Sequence, residues 1–371
     1  MPVLLLGLAG VVPGCSSQPD NRPADLELAR PGFPLAADFP SGIVTRNNGI
    51  FTKAGRQLFL RGVAVPEVAW IAQRNDEQMG FFDHRLFNAA ADWGCDILRL
   101  SVMPAVWRRA GEAHVMRALD MSVAYARRCG LYLSICWHSI GFPPTERYKD
   151  LTDVHYGPLF ETTTAETRDF WTRIAARYAK EDVVAYFDLF NEPQYILPDG
   201  NLATEHTEPM WVAYREWVEG LVDAIRVHAP EKPVCVGGLQ FAYDLSMAPD
   251  LPIRRPNVIY ATHPYPDSNW RLPWSRAFLE PGEKLPVIAT EFGWDRQHHP
   301  ESSLRSSNGL YRDLLLNALD QAAMGWQAWC FSHIFTPALL ANNGFEPSAE
   351  YGTYVRHALL ERKRASLANR T

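Results

Sequence analysis

The sequence predicts an α/β protein, a (β/α)8 TIM barrel with a short N-terminal β-hairpin. Three observations carry that prediction. Apolar runs of strand length alternate with amphipathic stretches of helix length along most of the 371 residues. The strand-like runs are apolar almost without interruption, as strands of a parallel sheet covered on both faces are. No GxGxxG or GxxxxGK[ST] loop follows an early run, and an open doubly wound sheet would favour one. Eight such runs close most simply into a barrel.

The elements follow in order. Residues 1–14, MPVLLLGLAGVVPG, are almost wholly apolar and too short to span a bilayer. They read as the core of a signal peptide over 1–15. Val12-Pro13-Gly14-Cys15 resembles a bacterial lipoprotein cleavage site, with Cys15 as the lipidated residue. Export is therefore expected, with a lipid anchor in the bacterial cell envelope, or otherwise release to the periplasm or medium. Residues 16–40 are rich in Pro and Ser and read as a tether. One domain is expected over 41–365. It opens on the hairpin around NNGIFTKAGRQLFLRGVAV, which leads into a first inner strand at 58–64.

The remaining strands are predicted at 96–102, 131–137, 184–190, 233–237, 258–263, 287–292 and 325–331. Helical stripes separate them. Thr163 and Glu166 form a capping-box pair ahead of Phe170, Ile174 and Tyr178. Further stripes are Met116, Leu119 and Val123; Trp211, Tyr214, Val218, Leu221 and Ile225; and Leu310, Leu314 and Leu319. The loop at 139–162 is long, aromatic and free of helical pattern.

Composition narrows the function. A net charge of −6 supplies no basic surface for a nucleic acid, so none is expected as a partner. The 12 Trp, 14 Tyr and 18 Phe suit a large core and also the flat platforms on which sugar rings stack. With Cys15 set aside, five Cys remain, and they read as small buried hydrophobes rather than a disulfide framework. No CxxC or HExxH spacing occurs, so no metal site is expected.

Chemistry in such a barrel gathers at the C-terminal ends of the strands. Reading those ends in turn gives Arg99, His138, Asn191-Glu192, His263, Tyr265, Glu291 and Trp329. Glu192 and Glu291 fall at the same end of the barrel. Burying two carboxylates is costly unless they are paired or protonated, and facing one cavity they drive their pKa values apart. One ionised and one protonated carboxyl group is the equipment for glycoside hydrolysis.

This ordered set, with the hairpin and LRGV, resembles glycoside hydrolase family 5, the cellulase family of the clan of retaining (β/α)8 glycosidases. The resemblance spans about residues 43–335 and rests on NEP, HPY and TEFGW together. It implies Glu192 as acid/base and Glu291 as nucleophile, with Arg99 and Tyr265 keeping Glu291 ionised. Asn191 is implied to bond the sugar 2-hydroxyl, His138 and His263 to hold substrate hydroxyls and the carboxylates, and Trp329 to floor the cleaved sugar. Trp70, Trp270, Trp274 and Trp294 lie on predicted rim loops, as subsite platforms or as loop anchors.

The expected activity is a retaining β-glycoside hydrolase acting on a β-linked oligo- or polysaccharide, first of all an endo-β-1,4-glucanase. A mannan or other β-glycan hydrolase and an exo-acting β-glucosidase stay open beside it. So does a lipid-anchored carbohydrate-binding protein that has lost the reaction. No cofactor is required by this chemistry, the only membrane contact expected is the N-terminal anchor, and a monomer is expected.

Overall fold

The computed structural model describes residues 33–69, 83–266, 272–296, 299, 304–306 and 309–368. Eight parallel strands close into a barrel in sequential order. They are β1 (Arg61–Val65), β2 (Ile97–Val102), β3 (Tyr132–Trp137), β4 (Val184–Asp188), β5 (Val234–Gly237), β6 (Val258–Thr262), β7 (Val287–Ala289) and β8 (Gly325–Ala328). The sheet closes where Trp326 of β8 pairs with Arg61 of β1. The predicted α/β barrel is the observed fold.

The predicted strands run past the observed ladders at the C-terminal end. β4 stops at Asp188, β7 at Ala289 and β8 at Ala328. The residues beyond stay buried, including Phe190, Phe292 and Phe331, so their apolar pattern continues after the ladder has ended. His138, Asn191, Glu192, His263, Tyr265, Glu291 and Trp329 therefore sit one to four positions beyond the ladders, while Arg99 lies within β2. Glu291 follows β7 in this way.

The opposite mouth is plugged by the hairpin. Ile43–Arg46 pairs with Gly49–Thr52 across an Asn47-Asn48 turn, and Asn47 takes the left-handed conformation (φ 53°) that Asn tolerates better than most residues. Ile43 and Ile50 of the hairpin pack on Leu60, Ile97, Tyr132, Tyr186, Ile259 and Ile288, which fill the lower barrel.

The helices follow the predicted stripes with one change. Thr163 caps the helix Thr164–Tyr178 by accepting a hydrogen bond from the Glu166 amide, and Phe170, Ile174 and Tyr178 are buried. The stripe of Glu208–Arg226 is buried as read. In Tyr311–Gln321 the buried residues are Leu315, Leu316 and Leu319 rather than Leu310 and Leu314, because the helix begins one residue after Leu310. The described cysteines are buried and free, in keeping with their reading as small hydrophobes. Among the described residues no helix is long and apolar enough to cross a membrane. The leader, Cys15 and most of the tether lie outside them.

Candidate active site

The long loop after β3 is helix-free apart from a single 3-10 turn, and it builds the floor under Glu192. Ile140–Phe142 and Arg147–Tyr148 form a small sheet, and Glu192–Pro193 joins it as a third strand. After Leu189, whose amide still donates to Cys235 O of β5, the chain bonds to the β3 side. The Asn191 amide donates to Trp137 O, the Glu192 amide to Ser139 O and the Gln194 amide to Gly141 O. A buried backbone must place its polar groups somewhere, and here they pin the NEP turn along its length.

Arg99 of β2 lies at the centre, fully buried. Its Nε donates to Asp188 Oδ2 at 2.7 Å, its Nη1 to Glu291 Oε1 at 2.5 Å and its Nη2 to Asn191 Oδ1 at 2.8 Å. The Cys136 Sγ is 3.0 Å from the same Nη2. One guanidinium thus hydrogen-bonds two carboxylates and the Asn191 amide oxygen. With Oδ1 committed to a cation, the Nδ2 donor faces away from Arg99.

Glu291 also accepts from the Tyr265 hydroxyl at 3.1 Å. The sequence reading has Arg99 and Tyr265 lowering its pKa. Burial outweighs them and moves the carboxyl above its usual range, with the Arg99 charge pulling it back. The opposition of an ion pair at 2.5 Å leaves Glu291 the more readily ionised of the two. Glu192 has no such ion pair among the described residues. Burial pushes it up to about 7, opposed by Lys149 and Arg99 at longer range. Both carboxyls are raised by burial, Glu291 in the direction opposite to the one expected of it.

His263 links the pair. Its Nδ1 is 3.1 Å from Glu192 Oε1 and 3.8 Å from Glu291 Oε2, while its Nε2 is 2.9 Å from Thr290 Oγ1. Burial lowers its pKa to about 4, so the ring is neutral and carries one proton. The Thr290 hydroxyl can accept or donate, so it serves either tautomer. One oxygen of Glu192, one of Glu291 and a His263 nitrogen all lie within 4.8 Å of one another. Three such donors have the geometry of a cation site, but the Arg99 guanidinium already supplies the positive charge against Glu291.

His138 and Trp329 form the adjoining wall. Their rings stack with centroids 5.3 Å apart and an interplanar angle of 13°. The indole donates to Thr336 O, and the Trp329–Cys330 peptide is cis. Burial holds His138 well below its usual pKa, so it too is neutral, and its Nδ1 has no hydrogen-bond partner among the described residues.

All eight residues read from the strand ends therefore meet at one mouth of the barrel, but the rim tryptophans divide. Trp294 is buried edge-on against Tyr351, Tyr354 and Tyr311, and it anchors the helix Tyr351–Ala368 rather than facing a sugar. Trp274 is half-buried against Phe278 and Tyr311. Trp70 and Trp270 lie outside the described residues.

Residues the sequence reading missed include Asp188, Thr290 and Glu67. Glu67 is buried after β1 and accepts from the Met103 and Ala69 amides. Asp188 had a signal, as a lone acid inside the apolar run VAYFDLF. Thr290 had none, since a strand-end threonine is unremarked by pattern.

Comparison with known proteins gives the family. The family model Cellulase (glycosyl hydrolase family 5) matches residues 53–333. The chain belongs to glycosyl hydrolase family 5. It is a glycoside hydrolase. It is 25% identical over 315 residues to Endoglucanase MaCel5A of Microbulbifer sp., covering 80% of this chain and 52% of that protein. It thus spans about half the length of the curated relatives it matches first. The beta-glucanase SdGluc5_26A from Saccharophagus degradans is 29% identical, with a TM-score of 0.76, covering 87% of this chain and 94% of that one. The same beta-glucanase has been crystallised with cellotetraose. The catalytic domain of Thermobifida fusca endoglucanase Cel5A, 20% identical with a TM-score of 0.64, covers 86% of this chain and 97% of that one and shares the fold.

Proposed function

We propose that the chain is an endo-acting β-1,4-glucanase that cleaves with retention of configuration. The observation that carries the mechanism is the closeness of the two carboxylates, whose nearest oxygens fall within 4.8 Å. Retaining glycosidases hold this pair about 5–5.5 Å apart, and inverting ones keep them about 6.5–9.5 Å apart to admit a water. The substrate reading is supported by relatives named as endoglucanases and by a beta-glucanase crystallised with a β-1,4-linked glucose tetramer.

In the first step a Glu291 oxygen attacks the anomeric carbon. The bond to the glycosidic oxygen breaks, and Glu192 delivers its proton to that oxygen. In the second step the Glu192 carboxylate takes a proton from water, whose oxygen attacks the same carbon and frees Glu291. A Glu192 pKa of about 7 suits both duties, since the group must give and then regain a proton near neutral pH.

The supporting residues act through the geometry above. Asn191 Nδ2 donates to the sugar 2-hydroxyl, a bond that strengthens as positive charge builds on the ring. His138 offers Nδ1 to a neighbouring hydroxyl, and Trp329 stacks beneath the sugar, removing its apolar face from water. A β-glucan is met outside the cytoplasm, so we place the enzyme there, exported by the apolar leader and held by a lipid on Cys15.

A panel of β-1,4-glucan, β-1,3-glucan, mannan and xylan, with the products sized, tests the substrate reading. Shortened chains of mixed length from β-1,4-glucan alone are expected. Mannan or xylan as the preferred substrate, or single-unit release from chain ends, would overturn it.

A further inference from the structure

The small sheet beside the active site carries a cation that the reaction above does not use. Lys149 donates its backbone amide to Ile140 O, extending the antiparallel register in which Gly141 faces Tyr148. Ile140 in turn pairs with Glu192. Glu192, Ile140 and Lys149 therefore stand in one row across three strands, and residues opposite one another in a row share a face of the sheet. Two strand spacings put the Lys149 and Glu192 backbones about 10 Å apart, with both side chains over the same surface.

Phe241 borders that surface from the other side. It follows β5 in a segment where Gln240, Phe241 and Ala242 all have φ between 57° and 60°. Three consecutive left-handed residues other than glycine are costly and persist only where neighbours hold them. Here the Phe241 amide donates to Pro193 O, and the His263 amide donates to Ala242 O. The turn is thus tied to the residue after Glu192 and to the histidine that bonds Glu192. It brings the Phe241 ring to 5.8 Å from Lys149 Nζ, both side chains half-buried. Among the described residues Lys149 has no ion-pair partner.

The side of the site is set by the strands. Lys149 stands across Ile140 from Glu192, on the loop that follows β3, whereas Glu291 follows β7 and meets Glu192 through His263, after β6. Lys149 therefore approaches Glu192 from the β3 side, and Glu291 approaches it from the β7 side. A proton donor faces the leaving oxygen, so the β3 flank is where the departing portion of the chain lies.

We propose that Lys149 and Phe241 form the subsite for the sugar that leaves, Phe241 stacking on its ring face and Lys149 donating to its hydroxyls. The inference rests on Glu192 being the proton donor. An ammonium resting on an aromatic ring presents its remaining N–H groups outward, a pairing suited to a sugar's apolar face and polar rim.

The test compares two substrates that transfer the same cellobiosyl group, cellotetraose and 2,4-dinitrophenyl β-cellobioside. The aryl leaving group needs neither a proton nor a sugar subsite. In Lys149→Met and Phe241→Ala, kcat/KM on cellotetraose is expected to fall about 10-fold or more, and on the aryl substrate less than about 3-fold. Transfer of the glycosyl group to added cellobiose should fall in step with the cellotetraose loss. Equal losses on both substrates, or no loss on cellotetraose, would overturn the subsite. Glu192→Ala separates the two proposals. Its kcat/KM on cellotetraose should fall far more than its kcat/KM on the aryl substrate, and equal losses in kcat/KM would remove Glu192 as donor and this inference with it.

Discussion

Nη1 of Arg99 lies 2.5 Å from Oε1 of Glu291, and both side chains are cut off from solvent. The same guanidinium holds Asp188 and Asn191, so one cation organises the proposed nucleophile and the amide beside it. Removing it leaves two buried carboxylates without a counter-charge. Arg99→Met is expected to cost about 3–5 kcal/mol of stability, read by urea denaturation. Adding Asp188→Asn should return part of that cost, because the second change removes one stranded charge. Strict additivity of the two losses would speak against a shared network.

Glu192 predicts the pH behaviour. Its carboxyl sits at about 7 in the fold against 4.5 when free. The proton it donates is present below about 7 and lost above it, so kcat/KM should fall as pH rises through about 7. The stability link has the same sign, because a raised pKa stabilises the fold fully below 4.5 and ceases to do so as pH passes 7. Glu192→Gln removes the buried charge, so its Tm should exceed wild type above pH 7 and converge with it toward pH 5. A gap independent of pH would refute the assignment. The other groups facing Glu192 are His263, Glu291, Arg99 and Lys149, and the two basic residues and the neutral ring keep their charge states across this window.

Gly141 is where the added sheet comes closest to itself. A Cβ there would lie 2.4 Å from Arg147 O and 2.6 Å from the Tyr148 Cα, both backbone atoms that cannot swing aside. Gly141→Ala should cost about 1–3 kcal/mol in stability. It should also lower kcat, since the Gly141 carbonyl receives the Gln194 amide and steadies the Glu192 turn. Unchanged kcat with lowered stability would mean that the sheet supports the fold but not the catalyst.

Trp329 stacks on His138 and is proposed to floor the sugar as well. Trp329→Ala should lower kcat/KM by about 10–100-fold, the loss of about 1.4–2.8 kcal/mol of transition-state binding. A loss under about 3-fold on cello-oligosaccharides would take the floor of the site elsewhere.

The barrel and the convergence of the candidate site residues were legible because strand ends carry polar residues that a buried run has no other reason to bear. Arg99, Asn191, Glu192, His263 and Glu291 each interrupt such a run. Asp188 does as well, but it lies before the end of the strand, where pattern reads it as an isolated exception. Its role is visible only once β2 sets Arg99 beside β4. Rim tryptophans were opaque for a different reason. Trp294 meets Tyr351 and Tyr354, some 60 residues further on, and a pairing at that distance leaves no local trace in the sequence. The loop at 139–162 was legible as an insertion but not as a sheet, because its strands of two and three residues are too short to show a period.

The central claim is that Glu192 and Glu291 act as a retaining pair, and the anomeric configuration of the first product tests it most directly. Proton NMR during the first minutes of cellotetraose hydrolysis should show the β-anomer of the newly formed reducing end before mutarotation sets in. The α-anomer appearing first would contradict it.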